Sequence, residues 1–205
     1  DNTTDICLFG AGGHGRVVAT QIKRRHIRRD VVFADSQLPE GSHLDGFKVQ
    51  TQTLAEISER SVIITIGNNR IRAQLQTEAV GLGCTLATFV ADPDCYFATI
   101  APGAGSQILA GAVVNTGATL AEGVIVNSSA VIEHDCHIGQ FCHISPGSVL
   151  AGGVTLGRRV WIGAGATVIP GMSIADDTVI GAGATVTQPI TQAGTYVGVP
   201  TRRIK

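Results

Sequence analysis

The sequence predicts two folds in series, an α/β unit followed by an all-β solenoid. Two observations predict them: a six-residue periodicity that runs unbroken from Ala98 to Thr187, and a strand–glycine turn–helix pattern near the front of the chain. A helix repeats about every 3.6 residues and an ordinary strand every two, so a strict period of six needs another backbone path. A solenoid of short strands joined by turns supplies one, each flat side sending an aliphatic residue inward.

Within the array the fifth position reads Ile108, Val114, Leu120, Val126, Ile132, Ile138 and Ile144, and continues to Val186. The third position is mostly small, as at Ala112, Ala118, Ala130, Cys136, Cys142, Ser148, Ala166 and Ala184. Three units form one triangular coil, so residues eighteen apart stack, and Ile108, Val126, Ile144, Ile162 and Ile180 form one expected column. With about 4.8 Å between strands, five coils make a prism about 24 Å tall. Glycine, asparagine and aspartate at the corners relieve tight turns, because a positive φ costs them little.

Composition agrees with a narrow column. Only 4% of the 205 residues are aromatic while 26 are glycine, which suits a core of Val, Ile and Ala. The net charge of −1 points to neither nucleic acid nor a membrane surface as the main partner. No apolar run approaches the roughly eighteen residues of a membrane span, and no signal-peptide pattern is present. The five cysteines contain no C-x-x-C pair, so a zinc ribbon or a redox motif is not indicated. Cys136 and Cys142 fall at the small third position, where a thiol is a compact apolar filler. A reducing, cytoplasmic setting follows.

At the front, Asp5 to Gly10 read as a buried strand and run into Gly10-Ala11-Gly12-Gly13-His14-Gly15, with a helix expected from Arg16 to about Ile27. This is G-x-G-x-x-G in the context it requires, with glycines that let a ligand approach and a helix N-terminus that favours negative charge. A second strand, Val31 to Ala34, ends at Asp35, twenty residues beyond Gly15. Spacing, context and the acid together favour a Rossmann-like nucleotide site over a plain tight turn with a capping aspartate. A further strand, Ser61 to Ile66, ends in Gly67-Asn68-Asn69-Arg70, and a helix follows to about Val80; Cys84 to Val90 makes one more strand. Asn68 and Asn69 then lie at the carboxyl edge of the sheet, where such sheets bind ligands. Arg70 and Arg72 either reach a diphosphate or are solvated helix residues. A dinucleotide dehydrogenase needs a second nucleotide half that does not fit here, so a mononucleotide carrier such as a nucleotide sugar is the expected ligand. The chain thus divides into residues 1–92, the nucleotide-binding unit, and 93–205, the solenoid with its tail, with Asp92-Pro93-Asp94 as the connecting turn.

The segment Glu133-His134-Asp135-Cys136-His137 through His143 places three of the six histidines in one coil beside two carboxylates. A carboxylate next to an imidazole orients the ring and supports the imidazolium, which is what a general base needs. His134 with Asp135 is therefore the candidate catalytic pair, His143 a candidate substrate contact, and His137 a bystander. The alternatives are three solvated surface histidines, or a zinc site built from His134, His137 and a third histidine; His-x-x-His on a β-coil is a weak zinc pattern.

These pieces form an ordered series: the glycine turn, Phe33-Ala34-Asp35, Ile66 to Arg72, Val131 to Cys136, His143-Ile144-Ser145-Pro146-Gly147 and Val197-Gly198-Val199-Pro200. The series resembles the bacterial nucleotide-sugar N-acetyltransferases, and it covers nearly the whole chain. Sialic acid O-acetyltransferases are relatives of that family. The resemblance implies a left-handed β-helix, acetyl-CoA as co-substrate, no metal, and a homotrimer with cofactor slots between prisms. It implies His134 as general base oriented by Asp135, where the family often has glutamate. It implies Gly12, Gly13, His14, Asp35, Asn68 and Asn69 along the nucleotide sugar, with His14 by the sugar amine and Asp35 at the base. His143, Gly152, Ala164, Ala182 and Arg202 are implied along acetyl-CoA; Thr201 stands where alanine is usual. The expected reaction is acetyl transfer to the 4-amino group of a UDP-linked 4-amino-4,6-dideoxy sugar. The alternatives are O-acetylation of a sialic-acid-type or GDP-sugar acceptor, a zinc enzyme of the γ-carbonic anhydrase type, and a non-catalytic nucleotide-sugar-binding scaffold.

Overall fold

The computed structural model describes residues 6–25, 30–51, 53–57 and 60–205. The chain divides into two compact units, Asp1–Phe89 and Val90–Lys205. The division falls just before the Asp92 turn, because the residues leading into that turn already bond to the solenoid. Ala91 N–H donates to the Ile108 carbonyl at 2.8 Å, and Asp92 Oδ2 accepts from Gly111 N–H at 2.7 Å.

In the first unit β1 (Ile6–Phe9) is followed by α1 (Gly13–Arg24), β2 (Val31–Ala34), β3 (His43–Leu44), β4 (Phe47–Thr51), β5 (Ser61–Ile64), α2 (Asn69–Gly81) and β6 (Thr85–Leu86). The sheet order is β3-β4-β2-β1-β5-β6, parallel throughout except for the β3–β4 pair. β1 is central and carries Cys7 and Leu8, both fully buried, as an apolar run covered on both faces must. The helix α1 starts three residues earlier than expected, and Ile27 lies outside the described residues. The expected strand from Cys84 to Val90 splits into Thr85–Leu86 and Phe89–Val90.

The β3–β4 hairpin is an addition to the sequence reading. Asp45 and Gly46 turn it with φ of 52° and 81°, the two positive values that a type I′ hairpin turn requires and that Asp-Gly tolerates. Phe47 then packs edge-to-face on Phe33 with ring centroids 5.8 Å apart.

The second unit is a left-handed parallel β-helix whose two-residue strands fall at the fourth and fifth positions of each six. Its strands pair with partners eighteen residues away, forming three faces. One runs through Ile125–Val126, His143–Ile144, Trp161–Ile162 and Val179–Ile180. The second runs through Val131–Ile132, Val149–Leu150 and Thr167–Val168, and the third through His137–Ile138, Thr155–Leu156 and Ser173–Ile174. Every fifth-position residue from Ile108 to Val186 is buried, and the expected Ile108–Ile180 column is no more than 1% exposed. Strands begin at Gln107; the first six, Ala98 to Gly103, contributes none.

The second position of each six, from Gly105 to Gly183, takes a positive φ without exception. Nine of these fourteen are glycine, and the others are Ser129, Asp135, Phe141, Arg159 and Asp177. An L-residue there costs about 1–2 kcal/mol relative to a relaxed backbone. Arg159 and Asp177 recover part of that cost by pairing with each other through two hydrogen bonds of 2.8 and 2.7 Å. Beyond the last coil, Thr195–Val197 and Arg202–Arg203 form an antiparallel pair on the edge of the first face.

Candidate active site

Asp135 occupies one of those left-handed corners with φ 60°, which turns its carboxylate back toward the preceding residue. His134 Nδ1 and Asp135 Oδ2 are 2.9 Å apart. The bond assigns the proton to Nδ1 and leaves Nε2 as the basic nitrogen. Both side chains are well exposed, at 60% and 71%, so the nitrogen is open to a reactant. Two glycines frame the pair at the eighteen-residue spacing. A Cβ at Gly152 would fall on His134 Nε2 and Cε1, and one at Gly117 would strike Asp135 Oδ1. Gly152, expected along the cofactor, leaves the room that the imidazole ring occupies. Gly117 was missed, although adding eighteen to it gives Asp135. Glu133, the other carboxylate of the segment, turns to accept from Asn115 Nδ2 at 3.0 Å.

The three histidines do not converge. His137 is exposed on the third face with Nδ1 2.8 Å from Thr119 Oγ1. His143 lies on the first face, is only 8% exposed, has Nε2 3.0 Å from Asn127 Nδ2, and stacks parallel to Trp161 with centroids 6.0 Å apart. Trp161 Nε1 in turn donates to Ser145 Oγ at 2.9 Å. Among the described residues no three His, Cys, Asp or Glu side chains gather as a metal-binding group. Ala164 and Ala182 are exposed one above the other at the corner that follows the first face, joined by Gly183 N–H donating to the Ala164 carbonyl at 2.8 Å. Arg202 is exposed on the outer strand of that face, while Arg203 is tied down to the Ala193 carbonyl at 2.9 Å. Cys136 points inward with its thiol donating to the Ala151 carbonyl at 3.2 Å, and burial raises its pKa, so it is poorly suited to act as a thiolate nucleophile.

In the first unit the glycine turn follows β1. Gly15 is fully committed to packing, since a Cβ there would strike the Gly10 carbonyl oxygen. That is the role of the third glycine in such a turn. Gly12 caps α1 in an extended conformation, Gly12 and Gly13 are exposed, and His14 is half-buried in the first helical turn. Asp35 accepts from Ala11 N–H at 2.7 Å and from Gln37 N–H at 2.8 Å, which fastens the end of β2 to the glycine turn. A cleft of 370 Å³ opens beside these groups, lined by Gly12, Gly13 and Asp35 and by Arg16, Gln37 and Leu44.

Asn68 and Asn69 sit after β5, on the other side of β1. Asn68 Oδ1 caps α2 by accepting from Arg70 and Ile71 N–H, each at 3.1 Å, and Asn69 Oδ1 accepts from Arg72 at 2.9 Å. Arg72 is fully buried and donates to the Ile66 and Gly67 carbonyls at 3.0 and 3.2 Å. It therefore holds the sheet edge together and is neither of the things the sequence suggested. Arg70 is exposed. Arg16, not singled out beforehand, is bound by Asp45 through Nε at 2.5 Å and through a second nitrogen at 3.1 Å. The pair raises the arginine pKa and lowers that of the carboxyl.

Residues 5–79 match the PglD N-terminal domain family, and 135–167 and 153–188 match the bacterial transferase hexapeptide (six repeats) family. The acetyltransferase domain of PglB from Neisseria gonorrhoeae FA1090 is 35% identical, with 98% of this chain and 100% of that one covered and a TM-score of 0.91. This chain belongs to the bacterial nucleotide-sugar N-acetyltransferase family. The gonococcal domain has also been solved in complex with acetyl coenzyme A, at 34% identity over 99% of this N-acetyltransferase and 100% of that chain, with a TM-score of 0.90. PerB from Caulobacter crescentus, solved with CoA and GDP-perosamine, is 30% identical over 98% of this chain and 97% of its own, with a TM-score of 0.86. The GDP-perosamine N-acetyltransferase of Escherichia coli O157:H7 is 26% identical over 167 residues, 77% of this chain and 75% of that protein. No helix among the described residues of this N-acetyltransferase is long and apolar enough to cross a membrane.

Proposed function

We propose that this enzyme transfers the acetyl group of acetyl-CoA to the 4-amino group of a UDP-linked 4-amino-4,6-dideoxy sugar, with His134 as general base. The observation that carries the reading is the His134–Asp135 pair, which fixes the tautomer and leaves Nε2 open above the bare backbone of Gly152. The amine attacks the thioester carbonyl, and its proton passes to Nε2 as the C–N bond forms. The imidazolium, supported by Asp135, then gives that proton to the departing CoA sulfur as the C–S bond breaks. No acyl-enzyme is required, and the raised pKa of buried Cys136 supports direct attack.

Gly12, Gly13 and Asp35 bind the nucleotide in the cleft beside the glycine turn, His14 in the first turn of α1 stands by the sugar amine, and Asn68 and Asn69 face the same sheet edge from the other side of β1. The relatives solved or named with GDP-perosamine support GDP as the second candidate carrier. On the prism, Gly152 shares the His134 corner, whereas His143, Ala164, Ala182 and Arg202 lie on or beside the first face. One prism thus carries the two halves of the acetyl-CoA site apart, which supports a homotrimer whose slots pair the corner of one copy with the first face of the next. The two cysteines inside the prism core support a cytoplasmic setting.

Release of free CoA thiol is the test, measured with UDP- and GDP-linked 4-amino sugars. Turnover with the UDP substrate and acetyl-CoA is expected. Turnover with the GDP substrate alone would reassign the carrier, and turnover with neither would sink the reading.

A further inference from the structure

Among the described residues that line the cleft beside the glycine turn, Arg16 is the one cation. The other charged group, Asp35, already has both carboxylate oxygens engaged by backbone N–H donors. Arg16 is also engaged, but by a side chain: its guanidinium holds Asp45 through two nitrogens, at 2.5 and 3.1 Å. Asp45 belongs to the Asp-Gly turn of the β3–β4 hairpin, and it borders a second hollow of 450 Å³ that runs along α1 past Val17 and Thr20 to Arg24. Gly13 and Arg16 line both hollows, so the Arg16–Asp45 pair stands at the divide between them.

Both partners are accessible, with side chains 50% and 40% exposed. Exposed ion pairs are weakly held. A guanidinium fork matches the oxygens of a phosphate as well as those of a carboxylate, and a diphosphate carries more charge than one carboxylate. The hairpin is already joined to the sheet by the β2–β4 ladder and by Phe47 on Phe33.

We propose that Arg16 reads the diphosphate of the nucleotide sugar and that Asp45 is its stand-in, occupying the guanidinium until the substrate displaces it. Arg16 is then a specificity residue that selects phosphorylated carriers over bare nucleosides. Asp45 lowers affinity, because each binding event must first break the internal pair. The proposal rests on the cleft being the nucleotide site, as set out above.

Calorimetric titration of the full chain with UDP and GDP, and with the uncharged uridine and guanosine, tests it. Asp45→Asn removes the charge yet keeps the turn, because Asn-Gly is a favoured type I′ pair and asparagine accepts the φ of 52° at this position. It is expected to tighten whichever diphosphate the wild type binds. Arg16→Gln is expected to weaken that diphosphate about tenfold or more, the scale of one lost charge-assisted contact. Arg16→Lys falls between, and neither Arg16 nor Asp45 substitution moves nucleoside binding. In the double variant the Asp45 effect disappears. Unchanged diphosphate affinity in Arg16→Gln overturns the proposal, as does an Asp45→Asn gain that survives in the double variant, which would be a general charge effect. If the wild type binds none of the four compounds, the nucleotide reading of the cleft itself fails, a result distinguishable from the first two.

Discussion

The glycine turn at the front of the chain and the His134 corner of the prism both depend on absent side chains, for different reasons. At the turn, Gly15 lets helix α1 lie directly on the Gly10 carbonyl, so the missing Cβ serves backbone packing across a whole unit. At the corner, Gly117 and Gly152 clear space for the side chains of Asp135 and His134, while the coil itself is held by ladders to the coils above and below. The contrast shows how each architecture isolates or spreads a local change. An α/β turn joins a strand, a helix and a second strand at one point, whereas a solenoid couples each coil only to its neighbours.

Four substitutions probe that contrast. His134→Ala should cost about 10²–10⁴ in turnover with an unchanged melting temperature; full activity would remove the imidazole from the chemistry. Gly152→Ala comes next. Its methyl pushes the ring off its position, and a misplacement of about 1 Å can cost about a hundredfold in rate. Its circular-dichroism melt should match wild type, since the displaced group is the free end of a side chain. Gly15→Ala should do the reverse, destabilising the first unit by about 1–3 kcal/mol through overpacking, read as a lowered denaturant midpoint for that unit while the prism melts normally. A cooperative loss of both would mean the units are not thermodynamically separate.

The smallest effect belongs to a corner remote from the site. Arg158 N–H and its side chain both donate to Asp176, and these bonds hold that carboxyl below its ordinary value. A lowered folded-state pKa means the stabilisation is present above the unfolded value near 4 and fades as pH falls through the folded one. The pair is exposed, so Asp176→Asn should cost about 0.2–1 kcal/mol at neutral pH, and the difference from wild type should vanish in strong acid.

Much of the prism was legible residue by residue. The period of six fixed which side chains face inward, and the eighteen-residue stack correctly assembled the Ile108–Ile180 column. The same arithmetic would have found Gly117 beneath Asp135 had it been applied to the corners as well as to the core. The first unit was readable where glycine spacing constrains the backbone, at β1, α1 and α2. The hairpin was overlooked although Asp45-Gly46 announces it, because its strands are short and one is largely polar.

The sequence alone therefore determined the solenoid, the strand–turn–helix front and the His134–Asp135 adjacency, since each depends on spacing along the chain. Only tertiary structure decided which histidines stay exposed, that Arg72 is swallowed by carbonyls, and that Arg16 meets Asp45 across a gap of twenty-nine residues. Those outcomes turn on the direction and reach of individual side chains after the backbone has closed. Periodicity carries no information about them.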